Sequence, residues 1–226
     1  MKAKWWKVLA IILLAYTLTA GLLLDVPRLP ILNETIRALY FHVAMWFTMI
    51  LLLLVAVVYS IRYLRSNDLK DDDIAIEFTN AAILFGSIGI LTGMLWARFT
   101  WGAFWVNDPK LNASAIGMLM YFAYLVLRNS LTDVSQRARI GAVYNIFAFS
   151  AFLPLIFVLP RLTDSLHPGN GGNPGFNAYD LDSQLRMVFY PAIIGWTLLG
   201  AWIGTLRVRL RRAERKIEEK LINQVS

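Results

Sequence analysis

The chain has 226 residues, 58% of them hydrophobic and only 16% charged, with 22 Lys and Arg against 15 Asp and Glu for a net charge of +7. Soluble domains carry about a quarter charged residues, so this chain has too little charge to cover its apolar surface in water. Its apolar residues fall in long uncharged blocks, which makes the solvent a bilayer and excludes a soluble enzyme, a nucleic-acid-binding domain and a disordered tail.

The first uncharged block is Val8–Leu24, closed by Asp25-Val26-Pro27-Arg28-Leu29-Pro30. It is too long for the apolar core of a signal peptide, and no small-residue cleavage site follows it. Asn33-Glu34-Thr35 then suits a helix start, with Asn33 as N-cap and Glu34 favoured by the dipole. That start places His42 about two turns into the second block, Ala38–Ile61. Asp71-Asp72-Asp73 reads as a polar turn before the third block, Phe78–Ala97. Leu111–Leu127, Ile140–Pro160 and Met187–Leu206 follow. About 20 helical residues cross the hydrocarbon core, so these six blocks predict an all-α integral membrane protein with six transmembrane helices. A β-barrel would need blocks of about 10 residues with period-2 alternation, which are absent.

Sixteen of the Lys and Arg fall in the N-terminus, the 62–77 and 128–139 loops and the C-terminus, against six in the other three loops. The positive-inside rule therefore puts both termini in the cytoplasm. The basic tail, 207–226, continues helix six past the headgroups, where an anionic leaflet attracts it. Glu214, Glu218 and Glu219 mix with Arg215, Lys216 and Lys220 as a solvated helix end. Residues 1–226 form one transmembrane domain, with outer loops 25–37, 98–110 and 161–186. The last contains Pro168-Gly169-Asn170-Gly171-Gly172-Asn173-Pro174-Gly175, too rich in breakers for regular structure.

Candidate chemistry lies on the outer side, and no comparable feature lies on the inner. With no cysteine, disulfides, Cys-ligated zinc, iron–sulfur clusters and covalent haem attachment through Cys are excluded. The chain has two histidines, His42 at the outer end of helix two and His167 in the last outer loop. Taken singly, the first reads as an interfacial histidine and the second as a solvated one. Between spans three and four runs Trp96-Ala97-Arg98-Phe99-Thr100-Trp101-Gly102-Ala103-Phe104-Trp105-Val106-Asn107-Asp108-Pro109-Lys110. An aromatic belt needs one or two rings per helix end, whereas this segment offers a continuous apolar shelf. A haem wants such a surface, imidazole for its iron, and Arg or Lys for its propionates. His42 and His167 supply the imidazoles, and Arg37, Arg98 and Lys110 the cations.

Trp101-Gly102-Ala103-Phe104-Trp105-Val106-Asn107-Asp108 resembles the tryptophan-rich WGxxWxWD (WWD) signature of haem-handling proteins in cytochrome c-type biogenesis. Span count, length and histidine placement are similar to those of the haem exporter protein C (CcmC) family across nearly the whole chain. Arg37–Val43 resembles the family segment around its first axial histidine, and Leu166-His167 with Gly169 the segment around its second. The resemblance implies a non-enzymatic haem-transport role at the bacterial inner membrane. Haem b is held non-covalently at the periplasmic face, its iron bis-His, and passed to a periplasmic chaperone of CcmE type. A small single-span subunit and an ABC transporter often act alongside. Carried over by position, His42 and His167 are the iron ligands. Trp101, Gly102, Phe104, Trp105 and Asp108 form the platform, with Arg37, Arg98 and Lys110 as basic contacts to propionates or the chaperone. The sequence departs from the signature at Phe104, at Asn107, which replaces a ring, and at Pro109-Lys110. Lys110 keeps the charge of the usual Arg but loses its planar fork.

The mechanism expected is binding and release, with His167 leaving first because a Gly-rich loop opens more easily than a packed helix. Two other classes compete: a single-haem cytochrome b-type electron-transfer subunit, and a haem-free small-solute transporter. The first places its histidines within the spans, and the second wants ionisable or broken-helix features at the midplane.

Overall fold

The computed structural model describes residues 4–28, 32–167 and 181–225. Helices α1 (Trp5–Leu23), α2 (His42–Ser66), α3 (Leu69–Trp101), α4 (Pro109–Asn129), α5 (Val134–Phe157) and α6 (Ser183–Val225) account for nearly all of them. Short 3₁₀ helices cover Asn33–Tyr40 and Leu159–Arg161. All six α-helices are long and apolar enough to cross a membrane, and no strand occurs among the described residues. The fold is the six-helix membrane bundle that the uncharged blocks predict.

Helix α2 lies at the centre, packed on α3, α5 and α6, while α1 packs on α6. The main core joins Met49, Leu52, Leu53, Phe85, Met118, Tyr121 and Phe152. A second cluster, with Leu39, Tyr40, Leu185, Val188 and Phe189, sits towards the end of the bundle that carries both histidines. Asp68, Asp108 and Asp133 cap α3, α4 and α5 by accepting backbone N–H groups, and Asn67, at φ 54°, closes α2. Trp105 and Asn107 meet on Asn112, whose side chain accepts from the indole at 3.2 Å and donates to Asn107 at 2.9 Å.

Three stretches differ from the sequence reading. Asn33 does not cap an α-helix; it has φ 41° and opens the 3₁₀ helix. The Tyr40 carbonyl accepts from Trp196 Nε1 at 3.2 Å, the backbone breaks at Phe41, and His42 is the first residue of α2. Trp96–Trp101 belong to the last turns of α3, and Pro109 and Lys110 to the first turn of α4, so only 102–108 are loop. The Gly-rich run 168–175 lies outside the described residues.

The largest difference is at the other end of the bundle. Asp71-Asp72-Asp73 is no polar turn: α3 starts at Leu69, and these three aspartates are 8%, 4% and 1% exposed. They stay helical and buried because distant arginines neutralise them. Arg128 of α4 meets Asp72 with two hydrogen bonds of 2.8 Å. Arg215 donates to Asp73 at 2.6 Å, and Arg207 and Arg211 hold Glu77 at 2.6 and 2.5 Å. Arg62 lies 3.4 Å from Asp71 and Arg212 3.5 Å from Asp73. Helix α6 does continue past its apolar stretch, yet four of its arginines lie on α3.

Candidate functional site

His42 opens α2 and points at α3. Its Nδ1 is 2.9 Å from the Gly89 carbonyl oxygen and 3.4 Å from Thr92 Oγ1. A carbonyl only accepts, so Nδ1 carries the proton and Nε2 keeps its lone pair. The ring lies edge-on to Trp96, centroids 5.8 Å apart, and Trp96 Nε1 donates to Thr35 Oγ1 at 3.1 Å. Gly93 is needed here for close approach. A methyl on it would overlap Cε1 of His42 and stand 2.9 Å from Nδ1.

His167 reaches the same end of the bundle through the segment after α5. Its ring lies edge-on to Trp101 at 4.9 Å. Its Nδ1 is 3.0 Å from Asp108 Oδ1. The two histidines and Lys110 lie within electrostatic reach of one another. Along α3, the contact surfaces of His42 and His167 are centred near Gly93 and Trp101, a rise of about 12 Å.

Asp108 is the most heavily engaged side chain of the site, 1% exposed. Oδ1 accepts from the backbone N–H of Lys110 and Leu111 at 2.9 and 3.2 Å as well as facing His167. Oδ2 accepts from Ser165 Oγ at 2.9 Å and Leu166 N–H at 2.7 Å. Burial alone would raise this carboxyl, but the hydrogen bonds from His167, Leu166 and Ser165 hold it well below the usual carboxylate range. Burial lowers the His167 imidazole, and Lys110 adds to that, with Asp108 opposing in part. His167 is therefore neutral at physiological pH, facing a carboxylate.

The remaining residues named by the sequence divide in two. Phe104 and Trp105 lie in the 102–108 loop, 53% and 39% exposed, with Phe99 at the end of α3 70% exposed. They are exposed apolar surface at the end of the bundle that carries the histidines. Gly102, at φ 84°, ends α3, and its carbonyl accepts from Arg98. Arg37 turns to α1, donating to the carbonyls of Gly21 and Leu24 at 3.0 and 2.6 Å and pairing with Glu34 at 2.8 Å. These two arginines serve helix ends in this structure. Lys110, partly buried, stays close to His167 and Asp108. Sequence reasoning gave no role to Gly89, Gly93, Trp96 and Ser165. A glycine three residues before Trp96 was the available signal for Gly93, and Gly89 stands one helical turn before it.

The donor chemistry of the two histidines suits a metal such as haem iron. Both imidazoles have Nδ1 occupied by a protein acceptor and, among the described residues, no hydrogen bond at Nε2, which is how metal-binding histidines are oriented.

A family model described as Heme exporter protein C matches residues 1–223. Proteins named Heme exporter protein C from Bradyrhizobium diazoefficiens and Escherichia coli are 28% and 24% identical over 143 and 126 residues. Those matches cover 63% and 56% of this chain, and 53% and 49% of the two relatives. A Cytochrome c biogenesis protein CcsA from Pelargonium hortorum is 37% identical over 93 residues, 41% of this chain and 29% of that protein. The chain thus spans about half the length of the haem exporter relatives it matches. With a six-helix bundle, two histidines at one end and a match over almost its full length, the chain belongs to the haem exporter protein C family.

Proposed function

We propose that this protein binds haem at its histidine end and passes it on during cytochrome c biogenesis, acting as a carrier and not as an enzyme. The observation that carries this reading is the matched state of the two imidazoles, each held at Nδ1 and, among the described residues, without a hydrogen bond at Nε2. Bound haem supplies an iron that accepts two imidazole nitrogens. His42 is the ligand fixed on the bundle, held between α2 and α3. His167 is the ligand on a segment outside the α-helices, held to Asp108 through Ser165, Leu166 and His167 together. Phe99, Phe104 and Trp105 give the macrocycle an apolar rim, and Lys110 gives its propionates a cation.

Release needs one ligand to leave, and His167 can do so by moving three residues, whereas His42 would require α2 to part from α3. The acceptor is a periplasmic haem chaperone of CcmE type, with an ABC transporter and a small single-span subunit as further partners. The distribution of Lys and Arg supports an orientation with both termini in the cytoplasm, and on this reading the histidine end faces the periplasm.

The test is an absorption spectrum of detergent-purified protein beside His42→Ala and His167→Ala. A Soret band with low-spin bis-imidazole features, lost in His42→Ala and weakened in His167→Ala, is expected. A wild type that is colourless and takes up no added haem would overturn the reading. Equal and complete loss in both variants would overturn the asymmetry between the ligands.

A further inference from the structure

The motif that marks this chain ends in an acid whose surroundings leave it no face for a ligand. Asp108 is 1% exposed and accepts from three backbone N–H groups, one hydroxyl and the His167 ring. Those donors come from two places far apart in sequence, the first turn of α4 and the segment 165–167. One carboxylate thus caps a helix and anchors the second histidine to that cap. The rim aromatics beside it are exposed, so the acid stands behind the site and the rings line it.

We infer that Asp108 is a positioning residue: it fixes His167 as the Nδ1–H tautomer with Nε2 directed away from the cap, and so makes a loop histidine a competent metal ligand. The inference rests on the haem reading for its purpose but not for its geometry. A free neutral imidazole exchanges between its two tautomers, and the one protonated at Nε2 cannot bind a metal through that nitrogen. A carboxylate at Nδ1 selects the other tautomer, orients the ring and makes its far nitrogen more basic. The cap geometry supplies the orientation, since Lys110 N–H and Leu111 N–H fix where Oδ1 sits.

The chain contains only two histidines, which makes the experiment direct. Haem-free, ¹⁵N-histidine-labelled full-length protein is compared with Asp108→Asn and Asp108→Ser by long-range ¹⁵N–¹H correlation. Asp108→Ser retains a capping hydroxyl for α4 but cannot reach His167. The expected result is His167 protonated at Nδ1 in the wild type and shifted to an averaged or Nε2–H state in both variants. The His42 signals, set by the Gly89 carbonyl, stay in place and report that the bundle is intact. A wild-type His167 protonated at Nε2, or variants identical to wild type, would overturn the assignment. In protein loaded with haem, losing the carboxylate should raise the iron midpoint potential, because the imidazole becomes a weaker donor; an unchanged potential counts against the role. If the wild type takes up no haem, the haem reading falls, while the tautomer measurement still decides the place of Asp108.

Discussion

Gly93 lies against the ring of His42, with no room between them for a side chain: a methyl on Gly93 would overlap Cε1 and stand 2.9 Å from Nδ1. Gly93→Ala should therefore push the imidazole off the Gly89 carbonyl, at an overpacking cost of about 1–3 kcal/mol. Haem retention, read as Soret absorbance after purification, should fall nearly as far as in His42→Ala while the helical circular dichroism stays unchanged. At Gly89 the nearest atoms to an added methyl belong to the Trp46 ring, at 3.1 Å, a milder overlap than at Gly93, so Gly89→Ala should retain more haem. The opposite order would show that Gly93 does not set the position of His42.

The Asp72–Arg128 pair gives a second prediction, about stability. Both side chains are almost fully buried, 6% and 5% exposed. Removing one partner leaves a buried charge and typically costs about 3–5 kcal/mol. Arg128→Met should lower the midpoint of thermal unfolding in detergent strongly. Adding Asp72→Leu to that variant should recover most of the loss. A double variant no more stable than Arg128→Met would refute the view that the uncompensated charge is the cost.

A third concerns the segment beyond the apolar part of α6. Truncation after Leu206 removes the arginines that face Asp73 and Glu77, whose side chains are 1% and 4% exposed. The truncated protein should unfold at lower temperature, and Asp73→Asn with Glu77→Gln should restore part of the difference. Stability unaffected by truncation would mean that the arginines merely overlie these acids.

The pH dependence has a definite sign at His167. Its folded pKa is lowered, chiefly by burial, below the value of about 6.5 for an exposed imidazole. Between the two values the unfolded segment binds more protons than the folded one. Stability therefore rises with pH through that window, is fully present above about pH 6.5, and is lost as pH falls towards the folded pKa. Amide protection factors of Leu166 and His167, corrected for intrinsic exchange, should be constant from pH 6.5 to 8 and fall on acidification below it. Protection that grows on acidification would contradict this.

The six spans were legible because a bilayer demands uncharged blocks, and Val8–Leu24 or Ile140–Pro160 can be read off without any partner. Helix α3 was not legible at its start. Asp71, Asp72 and Asp73 look like a solvated turn until Arg128 is placed beside Asp72, 56 residues away, and Arg215 beside Asp73, 142 residues away. The break before His42 was hidden for a similar reason, since the Tyr40 carbonyl is taken by Trp196, 156 residues on. The tryptophan-rich motif and both histidines were visible as residue types. That the acid of the motif meets the second histidine, 59 positions later, was not, because a hydrogen bond across that separation leaves no local periodicity.

Helix α3 carries a further consequence. Its foot is pinned by the arginines of α4 and α6, and its far end carries the surfaces on which both imidazoles rest. Its 33 residues make a lever about 50 Å long, so a tilt of about 3° at the foot displaces the Trp101 end by roughly 2.6 Å. That is comparable to the length of one coordination bond. Where the seats of the two imidazoles lie relative to the rest of the bundle is thus set in part by how the acids at the opposite end of the molecule are anchored.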